Sequence, residues 1–378
     1  MRRAALLVVS LLLPTPLLAQ LSQFGVRGLG YPGRELAARA AASGGAFGLF
    51  DPESSVNPAA LGAATLLTSV FTINQNFMTE ENPAGSASTR ETRFPQLMVA
   101  GPVRQSGAAL GFSYSNYTTR DYSIATTNTL ELRGVPVGVT DSSSSRGGLS
   151  DLRLAGSYRI RNRWVFGAGF HVITGSNRLQ VRRFFADPSY LSSTQRSEVS
   201  YAGVGISVGV IRQFGPQFAI GALARSDGHV NVDRDSIRVG RVDLPYTFGL
   251  GFRWQPTGKL DLAAHGLFRT WSGANSDLLA QGGAGAVNTA EVAAGGEYTP
   301  DLKRPFRWPL RFGAHYARLP FPLLVGAHPH EVGVSAGTGM RFAQQRGGID
   351  LTVEHVWRSE DAYSERGFLV GLGISVRP

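Results

Sequence analysis

Cysteine is absent from the 378 residues, which excludes a disulfide scaffold and an N-terminal lipid anchor on a thiol. Beyond the extreme N-terminus, no apolar run reaches the roughly 18 residues that a membrane helix needs. The mature chain is therefore expected to be either soluble or a membrane β-barrel. Charge is also scarce: Asp, Glu, Lys and Arg make up 17% of the chain, against roughly 25% in an ordinary soluble domain. The formal net charge is +10. In an exported protein of this length it gives no reason to expect a nucleic-acid partner. No cofactor is expected, and His328-Pro329-His330 offers two imidazoles without a third metal ligand nearby.

The chain does contain an export signal, many glycines and a period of two. Arg2 and Arg3 precede an apolar run from Ala4 to Leu13, and Leu17-Leu18-Ala19 offers a cleavage site that leaves Gln20 as the new terminus. The 47 glycines fall mostly inside β-patterned segments, where Gly ordinarily weakens a strand; a crowded lumen that needs small side chains gives them a use. In Val242 to Trp271, Leu244, Tyr246, Phe248, Leu250, Phe252 and Trp254 share one face, while Thr247, Gly249, Gly251 and Arg253 share the other. Aromatic residues recur near both ends of the apolar band, as in the interfacial girdles of membrane barrels.

Segments of this kind continue to the C-terminus and predict about fourteen antiparallel strands, an even number as bacterial barrels require. Short connections alternate with long ones, the latter at 119–147, 175–197, 227–242 and 271–289. Asp121 to Leu132 and His229 to Val239 carry some β character, and are read either as hairpins and strand extensions above the bilayer or as two further membrane strands. Arginine on the lipid face at mid-bilayer costs roughly 2–4 kcal/mol. The strand arginines Arg153, Arg253, Arg269, Arg311 and Arg341 must therefore point inward, either to hold a ligand's acidic head or to pair with lumen acids such as Asp151, Asp261, Asp350 and Glu354. The expected fold is an all-β transmembrane barrel (63–378) behind a signal peptide (1–19) and an N-terminal lumen plug (20–62).

Several stretches resemble the FadL-like family of outer-membrane transporters for long-chain fatty acids and other hydrophobic compounds. They are Leu244-Pro245-Tyr246-Thr247-Phe248-Gly249 through Trp254, the returning Leu260-Asp261-Leu262 and Arg269-Thr270-Trp271-Ser272, and Pro309 to Tyr316. The N-terminal Ala40-Ala41-Ala42-Ser43-Gly44-Gly45-Ala46-Phe47 with Val56-Asn57-Pro58-Ala59-Ala60-Leu61 is similar to that family's hatch. The resemblance implies a fourteen-stranded barrel in the outer membrane of a diderm bacterium, a hatch gated by Phe47, Phe50, Asn57, Pro58 and Ala59, and passive uptake of a hydrophobic or amphipathic small molecule. Expected partners are that ligand, outer-membrane lipid and lipopolysaccharide, and the barrel-assembly machinery. The chain lacks the terminal aromatic usual in such barrels and its outer loops are rich in Ser, Thr and Gly. A non-transporting accessory barrel for secretion or surface attachment, as in PorV-type relatives, is the alternative.

Three motifs point elsewhere. Gly28-Leu29-Gly30-Tyr31-Pro32-Gly33 matches a dinucleotide fingerprint but has no strand before it. Gly205-Ile206-Ser207-Val208-Gly209 and Gly333-Val334-Ser335-Ala336-Gly337 match a nucleophile elbow, yet both serines fall mid-strand rather than at a strand-to-helix turn. No catalytic triad is evident in the sequence, and the chain is expected not to be an enzyme.

Overall fold

The computed structural model describes residues 22–104, 106–161, 163–280 and 283–378; the export signal expected over 1–19 lies outside them. Fourteen antiparallel strands form the wall: β1 (Thr68–Asn82), β2 (Gly85–Pro102), β3 (Ala108–Thr119), β4 (Val135–Ile160), β5 (Trp164–Phe185), β6 (Ser193–Phe214), β7 (Phe218–Ser226), β8 (Tyr246–Thr257), β9 (Leu260–Arg269), β10 (Thr289–Tyr298), β11 (Arg307–Arg318), β12 (His330–Phe342), β13 (Gly347–Glu360) and β14 (Tyr363–Val376). β14 returns to β1 from Val376 opposite Ser69 to Ser364 opposite Glu81, so the cylinder closes between its last and first strands.

Alternate burial explains the period of two. In β8 the side chains of Tyr246, Phe248, Leu250, Phe252 and Trp254 are exposed, Leu250 by 64%, while Thr247, Gly249 and Gly251 are buried. Every wall strand exposes large apolar side chains in the same way, and a surface of that extent is stable only against lipid. Leu250→Arg is accordingly expected to cost about 2–4 kcal/mol, measured by urea titration of bilayer-folded protein. Ile237→Arg, at a residue 70% exposed beyond the wall, should leave the midpoint nearly unchanged.

The structure corrects the expected loops. Residues 135–147, 175–185 and 193–197 belong to β4, β5 and β6, whose ladders continue from Ile160 opposite Trp164 up to Val139 opposite Phe185. β4 has 26 residues and extends for ~85 Å at about 3.3 Å per residue, whereas roughly 9–11 residues cross a bilayer. The strand Tyr122–Leu132 folds back on the upper part of β4. His229–Arg234 pairs with both Ile237–Asp243 and the upper part of β6. These two segments are thus hairpins above the wall, and the wall keeps fourteen strands. The connection at 271–289 carries helical structure instead, with a 3-10 turn Trp271–Ala274 and a short helix Asn275–Ala280.

The barrel has a tall rim, where these extensions stand, and a short-turn rim. An apolar cluster lies under the tall rim, with Trp271 packed edge-on against Phe321 at 5.0 Å between ring centroids and Leu29, Leu149, Ile173 and Leu278 around them. Residues 22–67 run from that rim to the other against inward-facing groups. Ser22 and Gln23 bond to Glu365 and Ser364 near the top. The helix Ala38–Ala41 lies beside β12, β13 and β14, and the 3-10 helix Pro58–Ala63 lies against β4, β5 and β6 before β1 begins. Inward glycines make room for this descent: a Cβ at Gly295 or Gly313 would collide with the Ser43 carbonyl, and one at Gly337 would sit 2.5 Å from the Ala42 Cβ.

Candidate functional site

The interior is organised by ion pairs between residues 22–67 and the wall. Arg34 reaches Glu354 at 2.8 Å and Glu291 at 3.7 Å; Glu35 takes Arg225 at 2.8 Å; Arg39 takes Glu297 at 3.2 Å. Glu53 meets Arg377 at 2.9 Å and Arg341 at 3.7 Å. Tyr31 donates to Glu331, which also holds Arg358 and His315. Burial pushes the Glu35 carboxyl up, and Arg225 only partly offsets this. Burial and then neighbouring Asp51 likewise raise Glu53. For Arg39 the direction is upward because Glu297 favours its charged form.

The wall ladder is incomplete between β2 and β3. β2 pairs with β1 along nearly its whole length, but with β3 only from Gln96 to Pro102. Above that point Gly85–Pro95 has, among the described residues, no partner strand on its β3 side. Pro95 lacks an N–H to donate, and the β1–β2 ladder shifts register beside it, between Thr72 and Asn74. The upper end of β3 pairs instead with the N-terminal segment, Tyr31 opposite Thr119 and Pro32 opposite Thr118, and the Gly33 N–H donates to the Tyr117 carbonyl at 2.8 Å. Gly30 has φ +99°, and a Cβ at Gly33 would collide with the Asn116 carbonyl. Gly30 and Gly33 of the Gly28–Gly33 motif therefore serve close backbone approach to β3 rather than a phosphate, and Gly28 makes room for the Phe321 ring.

Cavities lie on both sides of this break. One of about 100 Å³ is inside, between the N-terminal segment and β1, β13 and β14, lined by Leu36, Met78, Pro95 and Leu369 with Arg34 and Arg358. Another of about 390 Å³ lies at the break itself, bordered by Phe94, Tyr114 and Asp121. They share Arg93, Asn116 and Thr119 in their linings. A small space of about 50 Å³ under the tall rim, bounded by Val56, Leu223, Arg269 and Trp271, and one of about 200 Å³ at the short-turn rim are separated by an apolar layer. Leu49, Phe50, Val56, Ala59, Ile211 and Leu223 build that layer.

The structure brings the anticipated residues to several places. Phe50 and Ala59 lie in the apolar layer. Phe47 lies 5.9 Å from the Arg253 guanidinium, measured to its ring centroid. Asn57 accepts from the Ala59 N–H at 3.0 Å and donates to the Leu49 carbonyl at 3.0 Å, which holds the Pro58 turn against the layer. Of the inward arginines, Arg253 pairs with Asp261, Arg269 with Glu291, Arg311 with Glu297 and Asp350, and Arg341 with Asp350. Arg153 reaches no carboxylate within 4 Å among the described residues; its Nε donates to the Ser113 hydroxyl at 3.3 Å.

Sequence reasoning missed one constellation. Asp151 on β4, His171 on β5 and Ser207 on β6 are hydrogen-bonded in series, with Asp151 Oδ2 2.8 Å from His171 Nδ1 and His171 Nε2 2.8 Å from Ser207 Oγ. The match of Ser207 to the elbow pattern was a signal; the partners lie 36 and 56 residues away and meet only through strand register. Ser335, in the second such motif, instead accepts from the Gly44 N–H at 2.6 Å.

A closed fourteen-stranded cylinder with an apolar exterior and a polar, ion-paired interior defines an outer-membrane β-barrel of the FadL fold. Solved relatives agree. A Pseudomonas aeruginosa FadL homologue is 14% identical, with 92% of this chain and 99% of that chain covered and a TM-score of 0.65. The Pseudomonas putida toluene transporter TodX is 14% identical, covers 91% and 98%, and has a TM-score of 0.59. For the Ralstonia pickettii toluene transporter TbuX the figures are 14%, 91% and 98%, and 0.58. No curated protein matches the sequence. The family model described as BamG matches residues 1–217, more than half of the chain, which therefore belongs to the BamG family.

Proposed function

We propose that the protein is a passive outer-membrane channel for hydrophobic or amphipathic small molecules, long-chain fatty acids among them, with residues 20–62 as its plug and the break between β2 and β3 as its exit. The observation that carries this reading is the shared lining of the inner cavity and the wall cavity at Arg93, Asn116 and Thr119. A compound in the inner space needs only the Tyr31–Pro32 seam to leave β3 in order to reach the lipid. Straight descent is opposed by the apolar layer of Leu49, Phe50 and Ala59, which makes Phe50 and the Asn57-Pro58-Ala59 turn the lower gate. Arg269 and Arg253 border cavities and are the proposed contacts for a polar head. Arg311 and Arg341 serve the ionic clamp on the plug.

Because the chain has no cysteine, the seam can be locked. Pro32 and Thr118 are direct partners, and antiparallel partners lie about 4.5–5.5 Å apart at Cα, within the span of a disulfide. Pro32→Cys with Thr118→Cys, oxidised in proteoliposomes, is expected to stop uptake of a fluorescent fatty acid, and dithiothreitol should restore it. Uptake undiminished by the locked seam would overturn the lateral route.

One feature favours a second reading, an accessory barrel serving a protein partner. The outer edge of Tyr122–Leu132 pairs with no strand among the described residues, carries no proline or lysine, and continues without a bulge over eleven residue pairs. Such an edge offers free backbone donors and acceptors to another chain. On this reading, deletion of 20–61 leaves uptake unchanged and Thr126→Pro releases a co-purifying protein.

A further inference from the structure

The geometry points to a latent esterase centre in the barrel wall, with Ser207 as nucleophile, His171 as its base, Asp151 as the group that orients the imidazole, and Arg153 as the oxyanion donor. Asp151 is a carboxylate acceptor, so Nδ1 of His171 carries the hydrogen towards it and Nε2 is left to accept from the Ser207 hydroxyl. The order of atoms is that of an acyl-transfer triad. Asp151 is also fixed by Arg225 at 2.9 Å, which is in turn shared with Glu35 and Asp227, so the carboxylate cannot swing away from the ring.

A charged donor completes the site. A Cβ at Gly169 would lie 2.6 Å from Ser207 Oγ, 3.4 Å from His171 Nε2 and 3.5 Å from Arg153 Cδ. The serine hydroxyl already occupies that point in this closed structure, so only glycine fits at 169, and the arginine borders the same point. Ser207 sits mid-ladder between Gly169 and Arg225, so its backbone is engaged by the sheet and supplies no oxyanion hole. The Arg153 Nη1 has no hydrogen-bond partner among the described residues although the side chain is 1% exposed. A buried cation of this kind is costly until it meets negative charge, and the tetrahedral intermediate of ester cleavage provides it.

In the reaction Ser207 Oγ bonds to the ester carbonyl carbon while its proton passes to His171 Nε2. The carbon–oxygen bond to the alcohol then breaks, and the alcohol leaves with that proton. Water attacks the acyl-serine, gives a proton to Nε2, and the carboxylic acid departs as the proton returns to Oγ. Water is the only co-reactant. Ser207 is 2% exposed, with the Asn57–Ala59 turn against the neighbouring Gly167 and Gly209. Access therefore rests on opening of the proposed lower gate at the Asn57-Pro58-Ala59 turn, and the substrate is an ester small enough to enter beside the displaced turn.

The test uses full-length protein in bilayers, a fluorophosphonate probe, and Ser55→Cys, a near-isosteric change at a plug residue 1% exposed, to report plug opening through maleimide labelling. The expected result is stoichiometric fluorophosphonate labelling and p-nitrophenyl butyrate hydrolysis, both lost in Ser207→Ala and in His171→Gln, with the barrels still heat-modifiable on gels. Thiol labelling without serine labelling would overturn the esterase and leave the channel standing. Failure of both would overturn the esterase together with the moving plug. Labelling that survives Ser207→Ala would place the nucleophile elsewhere and end the assignment.

Discussion

Replacing Asp350 with alanine is expected to destabilise the barrel by about 3–5 kcal/mol, the usual consequence of removing one member of a buried ion cluster. Asp350 is 3% exposed and holds Arg311 at 2.6 Å through one oxygen and Arg341 at 2.7 Å through the other. Its loss leaves two cations with the remaining acids Glu297 and Glu53, which already serve Arg39 and Arg377. Asp350→Asn keeps the shape, removes the charge, and should fall close to the alanine variant. Guanidinium unfolding in detergent, followed by tryptophan fluorescence, measures both. A loss under about 1 kcal/mol would mean that the cluster re-pairs without it.

The second large effect is expected from deleting residues 20–61. Fourteen strands enclose more than their own side chains can fill, since barrels of about eight strands are already filled and those of 16–18 carry water. The deletion should therefore convert a silent barrel into one with discrete conductance steps in planar bilayers and with sugar leak in liposome swelling. A milder version, Arg34→Met with Arg39→Met, removes the pairs to Glu354, Glu291 and Glu297 and should give intermittent openings. A deletion variant that stayed closed would show that the wall alone seals the lumen.

The part of the fold in contact with lipid was legible because large apolar side chains alternate with mostly small or polar ones, so β8 and β9 could be read face by face. The upper halves of β4 and β5 were not. Residues 135–147, Val-Pro-Val-Gly-Val-Thr-Asp-Ser-Ser-Ser-Ser-Arg-Gly, have water on their outer face, and backbone pairing alone leaves no alternation of polarity. The lumen arginines were placed on the correct face, but their partners were not assignable: Arg311 finds Asp350 across two strands, a matter of register that no local spacing records. Pro95 was the one local sign of the break in the wall. Nothing near it in the sequence indicates that Tyr31 and Pro32, more than sixty residues earlier, take the empty place beside β3.

The descent of residues 22–67 through the interior also constrains biogenesis. Ser22 touches Glu365 across 343 residues, and the last hairpin, β13 and β14, supplies Glu354, Arg358 and Glu365 to the first part of the chain. Contacts of such separation form late and slowly. The leading end must already be threaded when the final strand zips onto the first, because afterwards neither mouth admits it in register. Maturation is thus a race between capture and closure, and a protein that loses it is a finished cylinder with its N-terminus stranded outside.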